Sequence, residues 1–159
     1  MEFAATGVMR DMGMLQQLSW YNRISAAPNR SNEVGREEIA ATYLRYYGLK
    51  KQEDNWAVRE VDTLVQDDPT EAWEVTRILV DTAQSDEALA YVAAGPLEDL
   101  LHRHGPVLID RIEEESQGNA RLQLALSGVW GLDRGSPVFD RWYALMWKYG
   151  FAEGKRRPL

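Results

Sequence analysis

His102 and His104 are the only histidines in this chain of 159 residues, and they stand beside Glu98 and Asp99. On a helix an H-x-H pair turns its rings about 200° apart, so the two cannot close on one metal ion. Glu98 and His102 are four residues apart and share a helix face, and Asp99 supplies a nearby third group. A weak divalent-metal site built from Glu98, Asp99 and His102, serving a metal-dependent enzyme or a small-ligand-binding domain, is therefore one chemistry the spacing allows. The competing reading puts His102, Arg103 and His104 in the last turn of a short helix, where cations complement the negative end of the dipole. That reading needs no ion, and it is the expectation taken forward: no catalytic residue, no metal and no cofactor.

Other chemistry-bearing pairs point the same way. Asp67 with Asp68, Asp86 with Glu87, and the run Glu113 to Glu115 are adjacent acids that face different directions on a helix, with no apolar frame to raise a catalytic pKa. Ser127 to Gly131 superficially suggests a nucleophile turn, but no strand precedes it, and Gly128 reads as a helix end or close helix packing. Phosphate-binding loops, dinucleotide fingerprints and calcium loops are all missing.

What remains is charge. The net charge is −7, yet Glu53 to Ser116 holds seventeen acidic and four basic residues, a net of −13 that leaves +6 for the rest. Phosphate backbones need a positive field, so this acidic half argues against direct nucleic-acid binding. The basic tail 151–159, with Lys155, Arg156 and Arg157, reads as a solvated terminus. No window approaches the length of apolar residues a membrane span requires, and the first residues lack a signal peptide's unbroken apolar stretch. The absence of cysteine excludes disulfides and thiolate chemistry and is easiest in a reducing cytoplasm.

The elements that must position these residues are helices from end to end. Val8, Met12, Leu15, Leu18 and Ile24 suggest an N-terminal helix within 1–30, and the polar run Ala26 to Gly35 is a loop and a candidate hinge. In the core, 36–150, start signals recur: Asp54 or Asn55, then Asp68-Pro69-Thr70-Glu71, Ser85, Asn119 and Ser136-Pro137. Gly48, Gly105 and Gly150 read as helix ends. The stretch Ala93 to Pro106 reads as a helix of about nine residues opened by Gly95-Pro96 and closed by Gly105, with Pro106 opening the next. Leu97, Leu100 and Leu101 form its buried face. The expected fold is all-α: a single domain, 1–159, holding an irregular array of about eight short antiparallel helices, loosely HEAT-like in its pairing. Among six tryptophans, Trp73, Trp130 and Trp142 are expected in the core, and Tyr43, Tyr46 and Tyr47 cannot all face it.

The segments WAVREVDTLVQDDPTEAWEVTRILV, AAGPLEDLLHRHGPVLIDRIE and LSGVWG resemble a bacterial family of uncharacterised proteins with a domain of unknown function. The likeness covers Glu37 to Gly131 and is most specific from Ala94 to Leu101. It implies one helical domain of bacterial type and adds no catalytic residue.

Composition and pattern together favour a non-enzymatic protein-binding module. Its acidic helical face, with Trp56, Asp62, Asp67, Asp68, Glu71, Glu98, Asp99, Glu113 and Glu114 as partner-binding residues, would meet a basic protein surface, as an immunity protein, antitoxin or inhibitor does.

Overall fold

The computed structural model describes residues 34–151, which contain only helices and their connections. The expected N-terminal helix, most of its loop and the basic tail lie outside the described residues. The helices are α1 (Arg36–Leu49), α2 (Asn55–Asp67), α3 (Pro69–Thr82), α4 (Asp86–Val92), α5 (Glu98–Ser116), α6 (Ala120–Ser127) and α7 (Pro137–Lys148), with a 3-10 turn at Gln52–Asp54. A single π turn, Ala93–Leu97, joins α4 to α5. Counting that kinked unit once gives six helical units among the described residues, where about eight were expected for the whole chain.

Four of the helix starts follow from their own sequence. Asp68 accepts from the Glu71 amide, Ser85 from Ala88, Asn119 from Arg121 and Leu122, and Ser136 from Phe139. Proline occupies the first turn of both α3 and α7, where its missing N–H costs nothing. Asp54 precedes α2 without capping it; its carboxylate is instead held by Arg45.

The helix end expected at Gly48 falls one residue later, and the break expected at Gly105 does not occur. α1 runs through Gly48, and Lys50 takes the left-handed conformation (φ 53°, ψ 32°) while its amide bonds the Tyr46 carbonyl. α5 runs through Gly105 and Pro106 for 19 residues. Gly105 is buried there because α7 crosses at that point: a Cβ would lie 2.6 Å from Val138 Cγ1 and 2.7 Å from Cγ2. Glycine here permits close helix approach rather than ending a helix, and packing of α5 outweighs the one backbone bond that Pro106 removes. The kink falls at Gly95 instead (φ −113°, ψ −108°), with Pro96 inside the π turn.

α3 is the centre of the molecule, in contact with α1, α2, α4, α5, α6 and the π turn. Its Trp73, Val75, Thr76 and Leu79 are wholly buried, a burial no surface helix would show. Leu97, Leu100 and Leu101 form the buried face expected of them. α7 packs on α5 and α6, fixed by Trp142 Nε1 on the Leu126 carbonyl and by Tyr149 with Ser116.

Candidate functional site

Arginines divide the acidic half into two populations. On one side of α3, Arg36 grips Glu71 with two bonds of 2.6 Å and approaches Glu74 at 3.9 Å. Arg77 reaches Glu115 at 2.8 Å and Glu74 at 3.4 Å, while Arg111 bridges Glu74 and Glu115. The Arg111 hydrogen bond, with the neighbouring guanidiniums, holds the Glu74 carboxyl below its ordinary range. Arg141 on α7 ties Asp110 and Glu113 on α5, each at 2.5 Å. Glu71 and Glu113, both expected on the partner face, are thus neutralised inside the molecule. Glu114, Asp67 and Asp68 are exposed, though the Asp68 carboxylate also serves as the α3 cap; Trp56 is half-buried.

Of the residues of the possible metal site, Glu98 and His102 converge on the backbone of residue 131 rather than on an ion position. Glu98 Oε2 accepts the Trp130 and Gly131 amides at 2.7 and 3.0 Å, and His102 Nε2 donates to the Gly131 carbonyl. A Cβ on residue 131 would lie 2.6 Å from Glu98 Oε1 and 3.4 Å from His102 Nε2, so a side chain there would force the Glu98 carboxylate to shift from this clamp. His104 Nε2 donates to the Val65 carbonyl at 2.8 Å, in the last turn of α2, where no helical partner is available. The histidines are therefore mid-helix cross-links to two other segments and not charges at a helix end. Asp99 stands apart from Glu98 and His102 and feels Asp62 of α2. Among the described residues no group of three His, Asp or Glu side chains is placed to hold a metal ion.

Trp130 corrects another expectation: its side chain is 68% exposed, because its backbone is the strand of loop that Glu98 holds at the surface. Trp73 is fully buried, and Trp142 is half-buried on α7, its indole N–H on the Leu126 carbonyl. Phe139, Trp142, Tyr143 and Trp147 form a continuous run of ring contacts along α7.

The other acidic population centres on Asp62 and Asp99, both exposed and neither in an ion pair among the described residues. Desolvation first, and the Asp99 charge second, push the Asp62 carboxyl above its ordinary value. Tyr43 of α1 lies nearby with 2% exposure; burial raises its phenol strongly, and Tyr47, Asp62 and Asp99 raise it further. Its hydroxyl sits 3.2 Å from where a Cβ on Gly95 would be, so the π-turn glycine makes room for it. Tyr43 contacts Tyr47, which stacks on Tyr91 of α4 at 4.6 Å between centroids. The Lys50 ammonium lies over Tyr47, Tyr91 and Tyr46 at 4.4, 5.1 and 5.6 Å.

Sequence reasoning missed this cage. Tyr46, Tyr47 and Lys50 are within one turn of each other in sequence, but Lys50 lies past the end of α1 in a left-handed cap, so helical spacing alone does not place its ammonium. Tyr91 joins only through the packing of α4. A separate groove of about 410 Å³ runs between Ala41 and Leu44 of α1, Ile78 of α3 and Ala88 of α4, with Glu37 and Arg45 at its rim; it contains none of the expected site residues.

No curated protein and no solved structure matches the chain. The family match covers residues 47–148, so it starts later than Glu37 and extends past Gly131 through α7, taking in both the Glu98 clamp and the Asp62–Asp99 pair. Since that match spans most of the chain, the protein belongs to the family of unknown function DUF6869.

Proposed function

We propose that this protein is a non-enzymatic binding module whose acidic end engages a basic protein surface, in the manner of an immunity protein, antitoxin or inhibitor, in a bacterial cytoplasm. One observation carries the reading: Asp62 and Asp99 lie within electrostatic reach of one another with no ion-pair partner among the described residues, and desolvation first, with the Asp99 charge second, raises the Asp62 carboxyl. Like charges near one another destabilise a fold, and among the described residues arginines pair with Glu71, Glu74, Asp110, Glu113 and Glu115 but not with Asp62 or Asp99. A basic partner relieves that repulsion, so the cost in the free protein becomes a gain on binding. The partner face accordingly contracts from the nine residues expected to Asp62, Asp99, Asp67 and Glu114, with Glu98, Glu71 and Glu113 assigned to internal structure, Asp68 to the α3 cap and Trp56 to a half-buried position.

The same geometry disfavours the metal-dependent alternative, because Glu98 and His102 are engaged by the backbone of residues 130 and 131. The test is a native-host pull-down comparing wild type with D62N/D99N, followed by association kinetics with the protein that only wild type retains. Electrostatic steering predicts a wild-type association rate falling about tenfold or more from low to high ionic strength, and a much flatter response in the double variant. A wild-type rate independent of salt overturns the proposal.

A further inference from the structure

We infer that Tyr46, Tyr47 and Tyr91 form a receptor for an alkylammonium group, specifically a lysine side chain of the partner, and that Lys50 is its resident occupant in the free protein. Lys50 Nζ lies 4.4 Å from the Tyr47 centroid and 5.1 Å from Tyr91, with Tyr46 completing a third wall at 5.6 Å. Tyr47 and Tyr91 stack with planes 28° apart, while Tyr46 meets Tyr47 edge-on at 87°. The stacked Tyr47–Tyr91 pair and the edge-on Tyr46 together present a three-ring aromatic surface on which a cation rests in place of water.

Two further observations point to a cation as the intended guest. In a chain with a large excess of carboxylates, the Lys50 ammonium makes no ion pair among the described residues and rests on the rings instead. Its neighbour Lys51 takes the ordinary course and reaches Glu53 at 4.0 Å. Lys50 also holds a positive φ of 53°, a conformation in which glycine or asparagine would be at ease. A lysine in that conformation places its ammonium over the rings of α1 and Tyr91.

The surroundings favour a cationic ligand. Tyr43 contacts Tyr47 on one side and feels the Asp62 and Asp99 charges on the other, so one buried ring lies between the three tyrosines and the acidic pair. Lys50 is exposed on a flexible stem and can swing out without disturbing the backbone bond from its amide to the Tyr46 carbonyl. A partner lysine then takes its place, and a trimethylated lysine does so more strongly, since a quaternary ammonium is weakly hydrated and gives up less water to the rings.

The inference rests on the proposed function only for the occupant's being a protein side chain; the cage itself can be tested alone. The probe is Nα-acetyl-trimethyllysine amide titrated into the full chain and its K50A variant, with aromatic NMR resonances of Tyr46, Tyr47 and Tyr91 as the readout. K50A is expected to bind about five- to tenfold more tightly than wild type, because the resident cation is gone. Y91L in the K50A background is expected to lose the response, with its folded spectrum elsewhere retained. The neutral carbon isostere, with a tert-butyl head, should leave the rings unmoved. Unchanged tyrosine resonances in K50A, or an equal response to the neutral isostere, overturn the inference. A cage that responds while the wild-type association rate proves independent of salt upholds the ammonium site and removes the acidic-face reading, so the two can fail separately.

Discussion

Replacing Gly105 by alanine sets two well-known effects against each other and tests how α5 and α7 are joined. In a helix interior, glycine to alanine stabilises by about 1 kcal/mol through backbone propensity alone. Here the new methyl would lie 2.6 and 2.7 Å from the two γ-carbons of Val138 and 3.2 Å from its Cβ, closer than real contacts allow. Val138 has 7% exposure and belongs to the first turn of α7, a helix fixed by Arg141, Trp142 and Tyr149, so it cannot rotate its branch out of the way. Overpacking of this kind costs about 1–3 kcal/mol, so G105A should come out destabilised by up to about 2 kcal/mol. V138A alone removes two buried methyl groups and should cost about 1.5–2.5 kcal/mol. In the double variant the alanine at 105 enters space vacated by the valine, and its cost should fall short of the sum by at least about 1 kcal/mol. Urea denaturation of the four proteins, with equal slopes, measures the coupling. A G105A protein more stable than wild type by about 1 kcal/mol, with single effects that add within about 0.5 kcal/mol, would refute the close crossing of α5 and α7 at this residue.

Two further outcomes follow from the clamp and the carboxylates. E98A leaves the Trp130 and Gly131 amides without their acceptor, so hydrogen exchange at these two positions should accelerate about tenfold or more while global stability falls by about 1–2 kcal/mol, the site being half-open to water; unchanged exchange at both would show that Glu98 does not hold the loop. Asp62 has a raised folded-state pKa, so the folded state binds its proton more tightly than the unfolded chain does, and the group's favourable contribution is present in acid and lost as pH climbs through the raised value. D62N should therefore raise the melting temperature at neutral pH and lose that advantage below the ordinary aspartate range. Asp54 and Glu74 run the other way: their pKa values are lowered, first by the hydrogen bonds from Arg45 and Arg111 respectively, so their contributions hold above the ordinary carboxylate range and vanish as pH falls through the lowered values. D54N should lower the melting temperature at neutral pH, and melting curves that move D62N and D54N in the same direction would show this assignment of signs to be mistaken.

The sequence by itself determined what lies within one helical turn. A cap needs a side-chain oxygen and an amide two or three residues on, so Asp68, Ser85, Asn119 and Ser136 act where their neighbours alone place them. The same holds for the apolar spacing of Leu97, Leu100 and Leu101, since a face repeats every three or four residues regardless of what covers it. The absence of strand patterning settled the all-helical class for the same reason.

Tertiary structure decided everything that depends on a partner distant in sequence. Arg36 meets Glu71 across 35 residues and Arg141 meets Glu113 across 28, so no reading of charge density could separate the acids already neutralised from the Asp62–Asp99 pair that is not. Glu98 and His102 share a face, as their spacing required, but whether they hold an ion or a backbone loop was set by Gly131, about thirty residues away. Gly48 and Gly105 carried the same local signal as a true helix end. Glycine only permits a break or a close approach, and it was the crossing of α7 at Val138 that chose between them for Gly105. For Lys50, the local sequence placed two tyrosines within reach, and the packing of α4, bringing Tyr91, made them a cage.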